Sequence, residues 1–248
     1  MTKTQELKMQ LLKEFGIYDK PKSIDFCREA YKFLVEGDIY KLIGLEANTG
    51  MPVFEREVFD NSPKAEAIDL GLPSGTLWAD RNVGAKSIED VGLYFSWGNT
   101  DGHVFGTDYD FYEDYENTSG SKLEGDIDLE HDAARVNMGE PWQMPTSEQF
   151  QELYDNCNVE FCSVNGYRGM KFTSKINGNS LFFACSGYGS GTSWDGRGSR
   201  GVYWSSSFYS ARYARCLNFD SGGVSPQGNG NRYNGFAVRP VQNIVPKE

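Results

Sequence analysis

Five cysteines, two histidines and a dense run of carboxylates are the groups in this 248-residue chain that could carry covalent or metal chemistry. A nucleophile needs an activating base within reach, and a zinc site needs Cys or His ligands in spaced sets. Cys27, Cys157, Cys162, Cys185 and Cys216 form no C-x-x-C pair. Cys157 and Cys162 could pair if the chain reached an oxidising compartment; buried free thiols are the default otherwise. Both histidines, His103 and His131, lie in an acidic segment, so neither a Ser-His-Asp nor a Cys-His set is expected. Asp108, Asp110, Glu113 and Asp114 offer oxygen ligands, but their spacing does not match an EF-hand loop. A solvated acidic loop is the better reading. The expectation is therefore no catalytic residue, no metal and no cofactor.

The chemistry that remains is non-covalent. Residues 201–240 read GVYWSSSFYSARYARCLNFDSGGVSPQGNGNRYNGFAVRP, with strand-like ends around an irregular middle. In 214–219 the strand period of two turns Leu217 and Phe219 to one face and Cys216 and Asn218 to the other. Phe208, Tyr209, Arg212 and Tyr213 fall in the preceding loop, where exposed aromatics cost solubility unless they meet a partner. Tyr and Arg are also the types that carry much of the binding energy at interfaces. Asp220 and Tyr233 are further candidates. For any one of these aromatics, covering the core is the competing reading. Trp204, Ser205 and Ser206 read as frame, the hydroxyls bonding buried backbone groups. Phe236, Val238 and Val241 read as a closing strand, with Arg239 as an ion-pair or hydrogen-bond partner. Trp78, Trp97 and Trp142 read as core.

The elements that must position these residues are short. Thr146 and Gln149 form a capping box, and Phe150, Leu153, Tyr154 and Cys157 follow on one helical face. Strand candidates are 76–79, 93–97, 167–173, 180–185, 201–206, 214–219 and 235–241, with Asn177-Gly178-Asn179 as a hairpin turn. A long acidic connection runs from about 101 to 130. The first sixty residues differ in character. Leu7, Leu11, Leu12 and Phe15 recur at helical spacing, and Ser23 caps a second helix with Phe26, Cys27, Ala30, Tyr31 and Leu34 on its apolar face. Short strands are expected at 39–45 and 52–58, and Asn61-Ser62-Pro63 marks a boundary. Residues 1–63 are thus expected to form a small, mainly helical module, and 64–243 an α+β domain with short strands and long loops.

Bulk properties narrow the classes further. A hydrophobic fraction of 39% with 14% aromatic is enough for a sizeable core. A net charge of −11 argues against nucleic acid, which needs a basic surface. The N-terminus has no apolar stretch of signal-peptide type, and no segment reaches the length of a membrane span. Synthesis in the cytoplasm without membrane insertion is expected.

Several segments together carry a resemblance: AIDLGLPSGTLWADRNVGA (67–85), YFSWGNT (94–100), DAARVNMGEPWQMPTSEQFQEL (132–153), GMKFTSKINGNSLFF (169–183) and GVYWSSS…GFAVRPV (201–241). In this order they resemble a paralogous domain family of Bacteroidales and their phages. That family looks like the C-type lectin-like fold, in the branch that holds the formylglycine-generating enzymes. Some members are the variable proteins of diversity-generating retroelements, whose C-terminal stretch is rewritten at template adenines. Asn codons then become many residues, but never Lys, Glu, Gln, Met or Trp. Those five types make up 49 of the 248 residues, so about six would fall in a 31-residue window; 206–236 holds one, Gln227.

The resemblance implies a variable region at about 204–236. Its ligand-binding surface would hold Phe208, Tyr209, Arg212, Tyr213, Cys216, Asn218, Asp220 and Tyr233. The partner would be a protein or glycan, with display on a phage tail or cell surface through the N-terminal module. An undiversified adhesin or structural lectin-like domain is the alternative. A thiol-dependent oxidase of the formylglycine-generating type is a second, although no matching thiol pair aligns here. The sugar-and-calcium tripeptides of true C-type lectins (Glu-Pro-Asn or Gln-Pro-Asp, then Trp-Asn-Asp) are absent.

Overall fold

The computed structural model describes residues 32–35, 38–45, 52–57 and 64–243. The chain divides into two compact units, Met1–Ser62 and Pro63–Glu248. In the first, β1 (Lys32–Val35), β2 (Asp38–Leu45) and β3 (Pro52–Glu57) form an antiparallel sheet in that order. β2 and β3 match the expected strands. β1 corrects the helix expected to run through Leu34: Val35 pairs with Asp38 across a two-residue connection, and hairpin pairing takes the segment. The helices expected before residue 32 lie outside the described residues.

The second unit is α+β. It runs β4 (Ala67–Asp69), β5 (Leu77–Ala79), β6 (Tyr94–Phe95), α1 (Phe111–Glu116), a 3₁₀ turn (Ser119–Lys122), α2 (Ala133–Met138) and α3 (Ser147–Asn156). Then follow β7 (Cys157–Val164), β8 (Tyr167–Ser174), β9 (Ser180–Ala184), β10 (Tyr188–Ser190), β11 (Ser193–Asp195), β12 (Arg200–Phe208), β13 (Tyr213–Asp220), β14 (Gly223–Asn231), β15 (Phe236–Ala237) and β16 (Val241–Gln242). The central sheet has the order β14-β13-β12-β15-β6, antiparallel except between β12 and β15. Smaller sheets are β16-β5-β4, β7-β8-β9 and the hairpin β10-β11.

Both faces of the central sheet meet packed side chains. Tyr203, Leu217 and Phe219 join one core with Phe150, Leu153, Trp78, Phe172 and Phe183. Val202, Trp204 and Cys216 join another with Phe95, Trp97, Phe236 and Val238. Each fully buried apolar side chain contributes about 1.5–3 kcal/mol. Trp204 stacks on Phe236 at 4.0 Å between ring centres, and its Nε1 donates to the Phe95 carbonyl at 2.8 Å. β14 can lie this close because residue 230 is glycine: a Cβ there would overlap the Phe236 ring. Gly201 serves the same end opposite Phe219, whose ring fills the space a Cβ would need.

α3 starts as its capping box dictates. The Thr146 hydroxyl accepts from the Gln149 amide at 3.2 Å, and Gln149 Oε1 accepts from the Thr146 amide at 2.9 Å. The helix then packs against β12, β13 and β14. It stops at Asn156, one residue short of its apolar pattern, and Cys157 opens β7 while remaining buried. An Asn165-Gly166 turn, both residues at positive φ, joins β7 to β8.

Three serines break the β12–β13 ladder. Its register shifts between Trp204 and Phe208, so Ser205–Ser206–Ser207 faces Arg215 alone. The hydroxyls and amides restore the lost bonds. Ser205 Oγ donates to the Arg215 carbonyl (2.9 Å), the Ser206 amide to the Pro145 carbonyl (2.8 Å), and Ser207 Oγ accepts from the Ser147 amide (3.0 Å). Arg239 is wholly buried and donates to Asn82 Oδ1 and to the carbonyls of Ala79, Asp80 and Phe182. Burial lowers its pKa to about 10.

The acidic connection is more than a solvated loop. Phe111 of α1 is fully buried beside Gly189 and Gly235, and Tyr115 is buried too. Asp132 is buried as the N-cap of α2, accepting from the Arg135 and Met144 amides, each at 2.9 Å. Its pKa is raised by burial, against those hydrogen bonds.

Candidate ligand-binding surface

A depression of about 170 Å³ opens on the β13 face opposite Leu217 and Phe219. Tyr213, Cys216 and Asn218 come to it from β13, Asn229, Gly230 and Asn231 from β14, and Arg200 and Val202 from β12. Tyr188, Asn234 and Phe236 complete it. Cross-strand pairing puts Gly228 and Gly230 on the face of Cys216 and Ala214, and directs the side chains of Asn229 and Asn231 to the other face with Arg215 and Tyr213. Arg200 is the one charged residue of the lining, and no carboxylate joins it.

Three of the eight sequence-derived residues meet here, in different roles. Tyr213 is half-buried and pairs with Asn231 across the strands. Asn218 accepts from Arg200 Nε at 2.8 Å. Cys216 corrects the expectation of an outward residue: it faces away from Leu217 but is 2% exposed, and burial pushes its thiol up to about 12.

The other five lie around the depression or away from it. Tyr209 is 49% exposed, and the Arg215 guanidinium stands 4.2 Å over its ring. Arg212 is exposed. Phe208 is half-buried, 6.2 Å from the Trp97 ring. Asp220 is exposed at the β13–β14 turn, where its carboxylate accepts from the Gly222 amide. At the β-strand rise that is about 23 Å along β13 from Tyr213. Tyr233 is half-buried and meets Tyr112 edge-on at 5.0 Å.

The loop at 208–212 is held from beneath by Arg232. This buried side chain donates to the Ala211 carbonyl at 3.1 Å and the Gly120 carbonyl at 2.7 Å, and it lies 4.6 Å over Trp97. The Arg232 amide also donates to the Arg212 carbonyl. Sequence reasoning missed Arg232, Tyr188, Arg200, Asn229, Asn231 and Asn234. The alternation Gly228-Asn229-Gly230-Asn231 was the available signal, hidden because its residue types belong to turns.

No family model, no curated protein and no solved structure matches this chain. What the surface can do must therefore be read from its own groups. The carboxamides of Asn229, Asn231 and Asn234 make no hydrogen bond among the described residues, and Asn234 Oδ1 is buried. Burial raises the thiols of Cys157 and Cys185 to about 11, so with Cys216 they stay protonated near neutral pH and are poor nucleophiles. Among the described residues no three His, Cys, Asp or Glu side chains gather as metal ligands, and no helix is long and apolar enough to cross a membrane.

Proposed function

We propose that this chain is a ligand-binding protein of C-type lectin-like architecture, whose C-terminal surface recognises a protein or glycan receptor and is diversified by a retroelement. The observation that carries the reading is the contrast within 200–236. A hydrogen-bonded frame supports side chains that the fold does not use: Tyr209, Arg212, Tyr213, Asn229 and Asn231. Rigid support with uncommitted Tyr, Arg and Asn is the composition of adaptable binding surfaces. The near-absence of Lys, Glu, Gln, Met and Trp from 206–236 supports adenine-directed change. The protonated thiols count against the oxidase alternative. Display on a phage tail or cell surface, with the N-terminal unit as the attachment, belongs to the same proposal.

The test is genomic. A near-repeat of the coding region for 204–240, differing almost only at adenines and lying beside a reverse transcriptase gene, is the expected arrangement. Its absence would leave an undiversified adhesin.

A further inference from the structure

We infer that the depression between β12, β13 and β14 takes a carboxylate-bearing sugar, with Arg200 receiving the carboxylate and Asn234 a ring hydroxyl. This deepens the recognition reading and rests on it. Arg200 is pre-oriented: Asn218 Oδ1 holds its Nε at 2.8 Å, and its guanidinium carbon lies 5.8 Å from the Tyr188 ring centre. Its two terminal nitrogens make no hydrogen bond or ion pair among the described residues. Asp220 faces it across the ladder but gives its carboxylate oxygen to the Gly222 amide. A fixed guanidinium fork with both ends free suits a planar carboxylate, which it can bind through two parallel bonds. Of the acids near the depression, Asp220 is held by the Gly222 amide and Asp195 by the Gly196 amide (2.7 Å) and the Tyr188 hydroxyl (3.4 Å); charges beyond about 8 Å are screened at physiological salt.

The second requirement comes from Asn234. It is 7% exposed and lines the depression, yet its Oδ1 has no partner. A buried, unpaired acceptor costs free energy that a donor on the ligand would recover. A bare carboxylate has no such donor, whereas a sugar hydroxyl both donates and accepts. The Asn234 carboxamide offers two donors and one acceptor, which matches vicinal hydroxyls. Below it Val202, Phe236 and Tyr188 supply an apolar wall for the ring's C–H face. The small volume suits one monosaccharide unit, smaller than the pockets that take drug-sized ligands.

Nuclear magnetic resonance titration of the full chain with D-glucuronate, N-acetylneuraminate, D-glucose and acetate tests the inference. One or both sugar acids should bind, about tenfold or more tightly than glucose or acetate, and the stronger identifies uronate or sialate as the source. Arg200→Gln should weaken that binding about tenfold, and Asn234→Ala should weaken it as well. Arg168→Gln, which removes an exposed charge on β8, should change nothing. Arg200 is exposed, so its variant reports on binding even if the Asn234 variant unfolds. Failure of both sugar acids, equal binding of glucose or acetate, or indifference to Arg200→Gln overturns the assignment. A failed titration beside a detected adenine-marked repeat removes this ligand and leaves the diversified surface standing. Sugar-acid binding without a repeat does the reverse.

Discussion

The two faces of β13 make different demands on their side chains. On one side Leu217 and Phe219 are packed against α3 and the β7–β9 sheet, with nothing left exposed. On the other, Cys216 closes the floor, and above it Arg200, Asn218 and Asn234 stand around open space. The first face is specified by volume. The second is specified only as far as its floor, so its rim can change without disturbing the packing below. The proposed diversification would require that division.

The comparison can be broken by substitution. Leu217→Ala should produce the largest loss, about 2–5 kcal/mol in denaturant unfolding, because the cavity has no way to collapse in a two-sided core. Ser205→Ala should cost about 1 kcal/mol, since it removes the hydroxyl that bonds the part-buried Arg215 carbonyl at the ladder break. Arg200→Gln and Asn229→Ala should each stay within about 0.5 kcal/mol of the parent, and the first should change what the surface binds. If either destabilised the protein as much as Ser205→Ala, the rim would be part of the frame and the division would fail.

The smallest effect is on thiol reactivity. Cys216 lies between the two regimes, and its pKa is raised from 9.0 to about 12 chiefly by burial. A raised folded-state value means the neutral thiol's contribution to stability is present below pH 9 and is lost as pH rises towards 12. Alkylation by iodoacetamide at pH 8 should therefore be slow in the native protein and fast after unfolding. Rapid native labelling of Cys216 would show that the floor opens.

Local signals were legible where neighbouring residues decide the outcome. The strands around Trp78, Tyr94, Phe183, Trp204 and Leu217 follow from apolar alternation, and the Thr146–Gln149 box places the helix start. β7 was hidden because Cys157 falls at helical spacing from Phe150 and Leu153. β14 was hidden for a different reason. Its sequence, GVSPQGNGN, has low strand propensity, and it forms because β13 offers a partner at the sheet edge. The edge also tolerates Pro226, which sits where the register shifts opposite residues 216–218. The acidic segment read as solvated because Phe111 and Tyr115 are outnumbered by charges; only docking under Gly189 and Gly235 buries Phe111.

By itself the sequence determined the α+β character, the capped helix, most of the central strands and the alternation that sends Leu217 and Cys216 to opposite faces. These depend on backbone period and on contacts a few residues apart. Tertiary structure alone decided that Cys216 would be a floor, that Arg232 would brace the 208–212 loop, and that Tyr188, Arg200 and Asn234 would meet at one depression. Those residues come from three separated segments, and their encounter depends on the register of β12, β13 and β14, which a bulge on each side of β13 sets and no local pattern encodes.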